Sequence, residues 1–149
     1  MTLASPVLSL SCLPPDVVAS YGTAAEAEER YIVVHGTLRF NQGLLPKAIG
    51  NDSPPSTRIK AHFSGKSLSQ AGFINAFDRD ITLDVACFGP WCAGASSGEE
   101  YLLFLRKDVT EYTYAADPCG RFGFARPTPE MLRQVTQCIS GGPCSPSRR

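Results

Sequence analysis

The sequence lacks an excess of charge of either sign. Its 149 residues carry 14 Lys and Arg against 14 Asp and Glu, so the net charge at pH 7 is zero. Proteins that bind nucleic acid through phosphate contacts rely on a basic excess, so we expect no nucleic-acid partner. The length is that of one domain.

Long apolar runs are also missing. A membrane-spanning helix needs roughly 20 consecutive apolar residues, and no stretch of this chain approaches that length. The sequence therefore predicts no membrane span.

Histidine is scarce and the cysteines lack metal-binding spacing. His35 and His62 are far from the cysteines in sequence, and Cys87 and Cys92 form no CxxC pair. Structural zinc sites need closer ligand pairs, so we expect neither a metal nor another cofactor. Six cysteines in a short chain are typical of disulfides formed in an oxidising compartment, and their pairing is open at this point. We therefore expect a secreted or periplasmic protein.

The two ends of the chain are expected to lie outside the folded domain. Residues 1–11 are apolar and small, and Ser9 and Ser11 precede Cys12 as in a signal-peptide cleavage site, so this segment is interpreted as a truncated export signal or an N-terminal arm. Residues 145–149 are expected to form a disordered tail. The domain itself should span residues 12–144.

Local patterns predict a short N-terminal helix followed by strands. Thr23 and Glu26 match a capping box, which would start the helix at Thr23. Residues 31–40 are β-branched and aromatic, with Gly36 indicating a bulge or a sharp bend. Ile59, Ala61 and Phe63 alternate with polar residues as in a half-buried strand, and residues 64–66 are expected to turn the chain.

Later segments predict further strands and a final helix. Residues 81–87, 101–106 and 112–114 have strand character. Thr128 and Pro129 suit the start of an amphipathic helix, which Gly141 would end. The strand count, with no βαβ alternation, predicts a mainly β fold: a five-stranded antiparallel Greek-key barrel of the oligonucleotide/oligosaccharide-binding (OB) type, with a short N-terminal helix and a C-terminal amphipathic helix.

The order of these segments resembles a known family. The carriers of the resemblance are Cys12-Leu-Pro-Pro15, Tyr31-Ile-Val-Val-His-Gly36, Cys87 with Cys92, Tyr101-Leu-Leu-Phe104, Cys119-Gly120 and the terminal helix. Together they resemble the netrin-like module, the OB-type barrel of the tissue inhibitors of metalloproteinases, and we expect a bacterial member of that family.

The resemblance implies a disulfide between Cys12 and Cys119. Local closure then suggests Cys87 with Cys92, which leaves Cys138 with Cys144. The chain departs from the inhibitors in one respect: their mature chain begins Cys-x-Cys, and here Leu10 stands where the zinc-chelating first cysteine would be. Inhibition by that route would require cleavage after Ser11, so that Cys12 became the free N-terminus.

Several residues allow a functional interpretation beside a structural one. Cys87 and Cys92 would suit a redox dithiol only with a lowered thiol pKa, and Trp91 is either core packing or a binding platform. His35 and His62 would form a metal or acid–base pair only if they faced one another. Asn75, Asp78, Asp80 and Asp84 lack the glycine and distal glutamate of an EF-hand calcium loop.

These sequence features predict a protein without catalytic activity. We expect an extracytoplasmic module that binds a protein partner through Cys12, Leu13, Pro14 and Pro15, with Trp91 as a further contact. The alternatives are a metalloprotease inhibitor that uses the Cys12 segment and a thiol–disulfide redox protein that uses Cys87 and Cys92.

Overall fold

The computed structural model describes residues 11–47 and 53–146. Almost all of the expected N-terminal arm (1–11) and most of the expected tail (145–149) lie outside these ranges. The elements, in chain order, are α1 (Val17–Glu26), β1 (Arg30–Phe40), a 3₁₀ turn (Gln42–Leu44), β2 (Ser56–Ser69), β3 (Gly72–Phe88), β4 (Trp91–Cys92), β5 (Glu99–Lys107), β6 (Tyr112–Ala116), β7 (Gly123–Ala125) and α2 (Pro129–Ile139). The prediction of a mainly β protein with a helix near each end is confirmed.

Five strands are hydrogen-bonded into a closed ring. Their order is β1-β2-β3-β6-β5, and β5 pairs back with β1. The two short strands are additions to the ring, β4 on β3 and β7 on β5.

The expectation of a wholly antiparallel sheet is only partly right. Residues 82–85 of β3 run parallel to residues 113–116 of β6, whereas the other neighbours are antiparallel. The reason is geometric. Strand direction can alternate all the way around a closed ring only when the number of strands is even, so a ring of five must contain a parallel pair.

Two apolar clusters hold the fold together. The interior cluster lies inside the ring, where alternate residues of the strands meet, such as Phe63, Leu83 and Leu103. The helix-covered cluster lies on the outer face of β1 and β5, where both helices pack against Val33, Leu102 and Phe104 among others. Residues 101–105 of β5 are consequently buried on both faces of the sheet.

Two expectations about glycines need correction: β1 has no bulge at Gly36, and residues 64–66 do not turn the chain. The register of β1 is continuous through Gly36, and residues 64–66 lie within β2 instead of turning the chain, which happens at residues 70–71. Gly36 is paired with Gly65, and a Cβ on Gly36 would lie 2.1 Å from the carbonyl oxygen of Ser64. Glycine is needed here because the two backbones approach too closely for any side chain.

The helices begin at capping residues, one expected and one not. Thr128 caps α2 as predicted, accepting from the backbone N–H of Met131. The N-cap of α1 is Asp16 instead of Thr23, which lies inside the helix and donates its hydroxyl to the Ala19 carbonyl. Starting the helix seven residues earlier lets it bury Val17 and Val18 against the sheet.

Candidate functional site

Three disulfides connect all six cysteines: Cys12–Cys119, Cys87–Cys92 and Cys138–Cys144. These are the pairs expected from the resemblance and from local closure. The first joins residues 107 positions apart and ties the segment before α1 to the loop after β6. The second closes the turn between β3 and β4, so its sulfurs lie on strands and not at a helix N-terminus that would lower a thiol pKa.

Residues Cys12–Pro15 form an exposed ridge ahead of α1. All four residues are exposed, and the side chain of Leu13 is 89% exposed. The segment is held at both ends, by the Cys12–Cys119 disulfide and by Asp16, whose Oδ1 accepts from the N–H groups of Val18 (2.9 Å) and Ala19 (3.2 Å). Pro14 and Pro15 further restrict the backbone between these anchors. An apolar side chain is thus presented to solvent on a constrained backbone.

The loop that carries Cys119, to which the ridge is disulfide-bonded, is itself fixed by one carboxylate. Asp117 accepts hydrogen bonds from the N–H groups of Cys119 (2.8 Å) and Gly120 (2.9 Å) and pairs with Nε of Arg121 (2.9 Å). Its side chain is only 8% exposed. The hydroxyl of Ser20 on α1 donates to the carbonyl of Arg121, which links the helix to the same loop.

A groove lies on each side of the ridge. The first, of about 450 Å³, is bounded by the ridge, α1, Phe88, Cys119 and Arg121. The second, of about 390 Å³, lies between the ridge and α2, where Met131 and Gln134 contribute. Leu13, Pro14 and Pro15 line both grooves, so the ridge separates them.

Phe88 lies at this site although no sequence pattern marked it as a site residue. It is 42% exposed and lines the first groove, whereas the expected contact Trp91 is half-buried on β4 opposite Phe88 and lines neither groove. A signal was present in the alternation of β3. Because Val85 and Cys87 are buried, Phe88 must point the other way.

The two histidines do not face one another. His35 on β1 lies opposite Lys66, and its Nε2 is 2.6 Å from a carboxylate oxygen of Glu100. His62 on β2 lies opposite Arg39, too far along the strand to meet His35. The metal or acid–base pair that would need them together is therefore not formed.

His62 instead joins two of the carboxylates considered as calcium ligands. Its ring nitrogens bond Asp80 (2.8 Å) and Asp78. These hydrogen bonds, the one to Asp80 first, raise the pKa of His62, and the bond from His62 lowers the pKa of Asp78. Asp84 accepts from the hydroxyl of Ser56. Within residues 11–47 and 53–146, no group of three or more His, Cys, Asp or Glu side chains is arranged to hold a metal ion.

Comparison of the chain with protein-family models, curated proteins and solved structures finds no match. No helix in the described ranges is both long and apolar enough to cross a membrane.

Proposed function

We propose that the protein is a non-catalytic, extracytoplasmic binding module that uses the ridge Cys12–Pro15 to bind a protein partner. We further propose that its ring of strands is an OB-type Greek-key barrel of the netrin-like kind, in a secreted or periplasmic protein. The five-stranded ring with one parallel pair, the two flanking helices and the three disulfides support this proposal.

The observation that carries the binding proposal is the anchoring of an exposed apolar segment. Exposure of the Leu13 side chain to solvent does not stabilise the fold. Its backbone is nevertheless held in place by a long-range disulfide and a helix cap. A partner that covers the ridge gains the burial of Leu13 and Phe88. It also avoids much of the entropy cost of ordering a loop on binding.

A protein is the partner class that fits this surface. The ridge and the exposed ring of Phe88 are apolar, and the only charged side chains lining the two grooves, among the described residues, are Asp16 and Arg121. Arg121 is already paired with Asp117. Apolar anchors beside grooves are typical of protein–protein contacts, whereas phosphate recognition would need unpaired cations.

Photo-crosslinking would test the proposal. A photoactivatable phenylalanine analogue is placed at Leu13 and, as the matched control, at Val109, which is fully exposed but lines neither groove. In culture-fluid and envelope extracts of the source cells, position 13 should give protein adducts that excess wild-type protein suppresses, and position 109 should not. The same adducts at both positions, or adducts that wild-type protein cannot suppress, would refute binding through the ridge.

Metalloprotease inhibition is the second candidate, and the exposure of Cys12 at the anchored end of the ridge favours it. A free amine and carbonyl at Cys12 would have to fill an open zinc position. A chain beginning at Cys12 should then inhibit a metalloprotease, and acetylation of its amine should abolish inhibition. Equal activity of the protease with and without this chain would exclude the candidate.

A further inference from the structure

A recess away from the ridge lies where the two apolar clusters meet. Its volume is about 290 Å³, and its walls come from α1, the start of β1, the end of β2 and the last residue of α2. Phe77 of the interior cluster and Phe104 of the helix-covered cluster both reach it. Ala24 and Ala25 are the small residues of α1 that leave this space between helix and sheet.

The described walls are uncharged and mostly apolar, with five aromatic residues among aliphatic ones and Ser67. Tyr21, Tyr31 and Tyr112 join the two phenylalanines, and none of the described residues that line the recess carries a charged side chain. A charged group placed there would meet no counter-ion among the described lining residues and would lose part of its hydration to the apolar walls. Flat rings, by contrast, gain edge and stacking contacts against such walls.

Two of the tyrosine rings are held in position by neighbouring rings and by one guanidinium group. The ring of Tyr112 contacts Phe77 edge-on at 5.3 Å, and the guanidinium of Arg79 lies over it at 4.7 Å. The ring of Tyr31 stacks on Phe122 at 5.1 Å. Within the described part of the chain, the hydroxyls of Tyr21, Tyr31 and Tyr112 make no hydrogen bond. The recess is thus lined by oriented rings whose tyrosine hydroxyls have no hydrogen-bond partner among the described residues.

We propose that this recess binds a neutral, flat small molecule of about two fused rings, with a hydroxyl or carbonyl group that hydrogen-bonds to Tyr31 or Tyr112. The size follows from volume, since a cavity of about 150 Å³ accommodates benzene and this recess offers about 290 Å³. The site is separate from the ridge, since no described residue that lines it also lines either ridge groove. The proposal therefore does not depend on the proposed partner.

Calorimetric titration of the full chain with 2-naphthol tests the site, and 2-naphthoate serves as the charged analogue. Saturable binding of 2-naphthol at one site is expected, with 2-naphthoate at least about 10-fold weaker because the described lining residues offer its carboxylate no counter-ion. Tyr31→Phe or Tyr112→Phe should weaken 2-naphthol binding by about 2- to 12-fold, as the loss of one hydrogen bond does. Equal affinity for the two compounds would overturn the proposal.

A substitution that fills the recess can be compared with the same substitution outside it. Ala24→Leu should reduce 2-naphthol affinity at least about 10-fold, whereas Ala19→Leu adds the same atoms to the same helix outside the recess and should leave it unchanged. Ala25→Leu repeats the test at an exposed position, which keeps it valid if Ala24→Leu does not fold. Wild-type affinity in a folded variant with either filling substitution would overturn the proposal.

Discussion

At the scale of single residues, the contact between Gly36 and Gly65 sets a strict limit on substitution. A Cβ on Gly65 would lie 2.0 Å from the carbonyl oxygen of His35, and a Cβ on Gly36 would meet the backbone of Ser64 equally closely. We expect Gly36→Ala to lower the free energy of unfolding by roughly 1–3 kcal/mol or more, since backbone atoms must move apart to admit the methyl group. Chemical denaturation would measure this.

Gly22→Ala is the matched control for that change. Gly22 lies in α1 with open space around its Cα, so an added Cβ meets nothing within 4 Å. Alanine there should raise the free energy of unfolding by roughly 0.5–1 kcal/mol. If Gly36→Ala were tolerated as well as Gly22→Ala, the close approach of β1 and β2 would not constrain the fold.

His62 makes the stability of the β2–β3 pair depend on pH. Its pKa is raised by hydrogen bonds to Asp80 and Asp78, so the folded state favours the protonated ring. That stabilisation is complete below the ordinary histidine pKa of about 6.5 and is lost as pH rises through the raised pKa. Asp78, whose pKa is lowered, contributes in the opposite sense: its share is present above its ordinary pKa and is lost as pH falls through the lowered one.

The corresponding experiment compares wild type with His62→Gln. Between about pH 6 and pH 8, the free energy of unfolding of wild type should fall more with rising pH than that of the variant. The effect should be small because His62 and both carboxylates are exposed, and it should shrink further in high salt. Parallel pH profiles for the two proteins would show that the raised pKa has no consequence for stability.

At the scale of elements, the two candidate N-caps of α1 should differ in how much their replacement by alanine destabilises the protein. Asp16 accepts from two N–H groups at the start of the helix, whereas the hydroxyl of Thr23 bonds inside it. Asp16→Ala should therefore cost about 1 kcal/mol. Thr23→Ala should be neutral or slightly stabilising, because alanine is the better helix former. Thermal unfolding would rank the two variants, and a larger loss for Thr23→Ala would restore the capping box as the start of the helix.

Local chemistry in the sequence predicted elements whose determinants are near one another in the chain. The alternation of Ile59, Ala61 and Phe63 marked β2, and Thr128 with Pro129 marked the start of α2. Local patterns predicted the wrong structure where the conformation of a residue depends on a contact with a residue far away in the sequence. The residue types around Gly65 are typical of a turn. Gly65 nevertheless lies in the middle of a strand, because Gly36, 29 positions earlier, packs against it.

At the scale of the whole molecule, ring closure determines features that no single segment encodes. The odd number of strands requires a parallel pair somewhere in the ring, and no pattern within residues 82–85 or 113–116 indicates that β3 and β6 form it. The candidate site likewise depends on how the fold brings distant segments together. Its ridge was predictable from Cys12 and the two prolines, whereas Phe88 belongs to the groove because the fold brings the end of β3 to the same groove as Cys119.

The disulfides should differ in their contribution to stability because they close loops of very different length. Cys12–Cys119 spans 107 positions and Cys138–Cys144 spans 6. The chain-entropy model gives about 4.8 kcal/mol for the long loop and about 2.4 kcal/mol for the short one. Replacing Cys12 and Cys119 together by serine should therefore lower the midpoint of chemical denaturation more than the same change at Cys138 and Cys144.

That comparison also bears on the ridge. The variant without Cys12–Cys119 should lose photo-crosslinking from position 13 even under conditions where it remains folded, because Asp16 alone would anchor the segment. The variant without Cys138–Cys144 leaves both anchors of the ridge in place and should retain crosslinking. If the two double variants unfolded at the same denaturant concentration and crosslinked alike, the long disulfide would contribute neither the larger share of stability nor the order of the ridge.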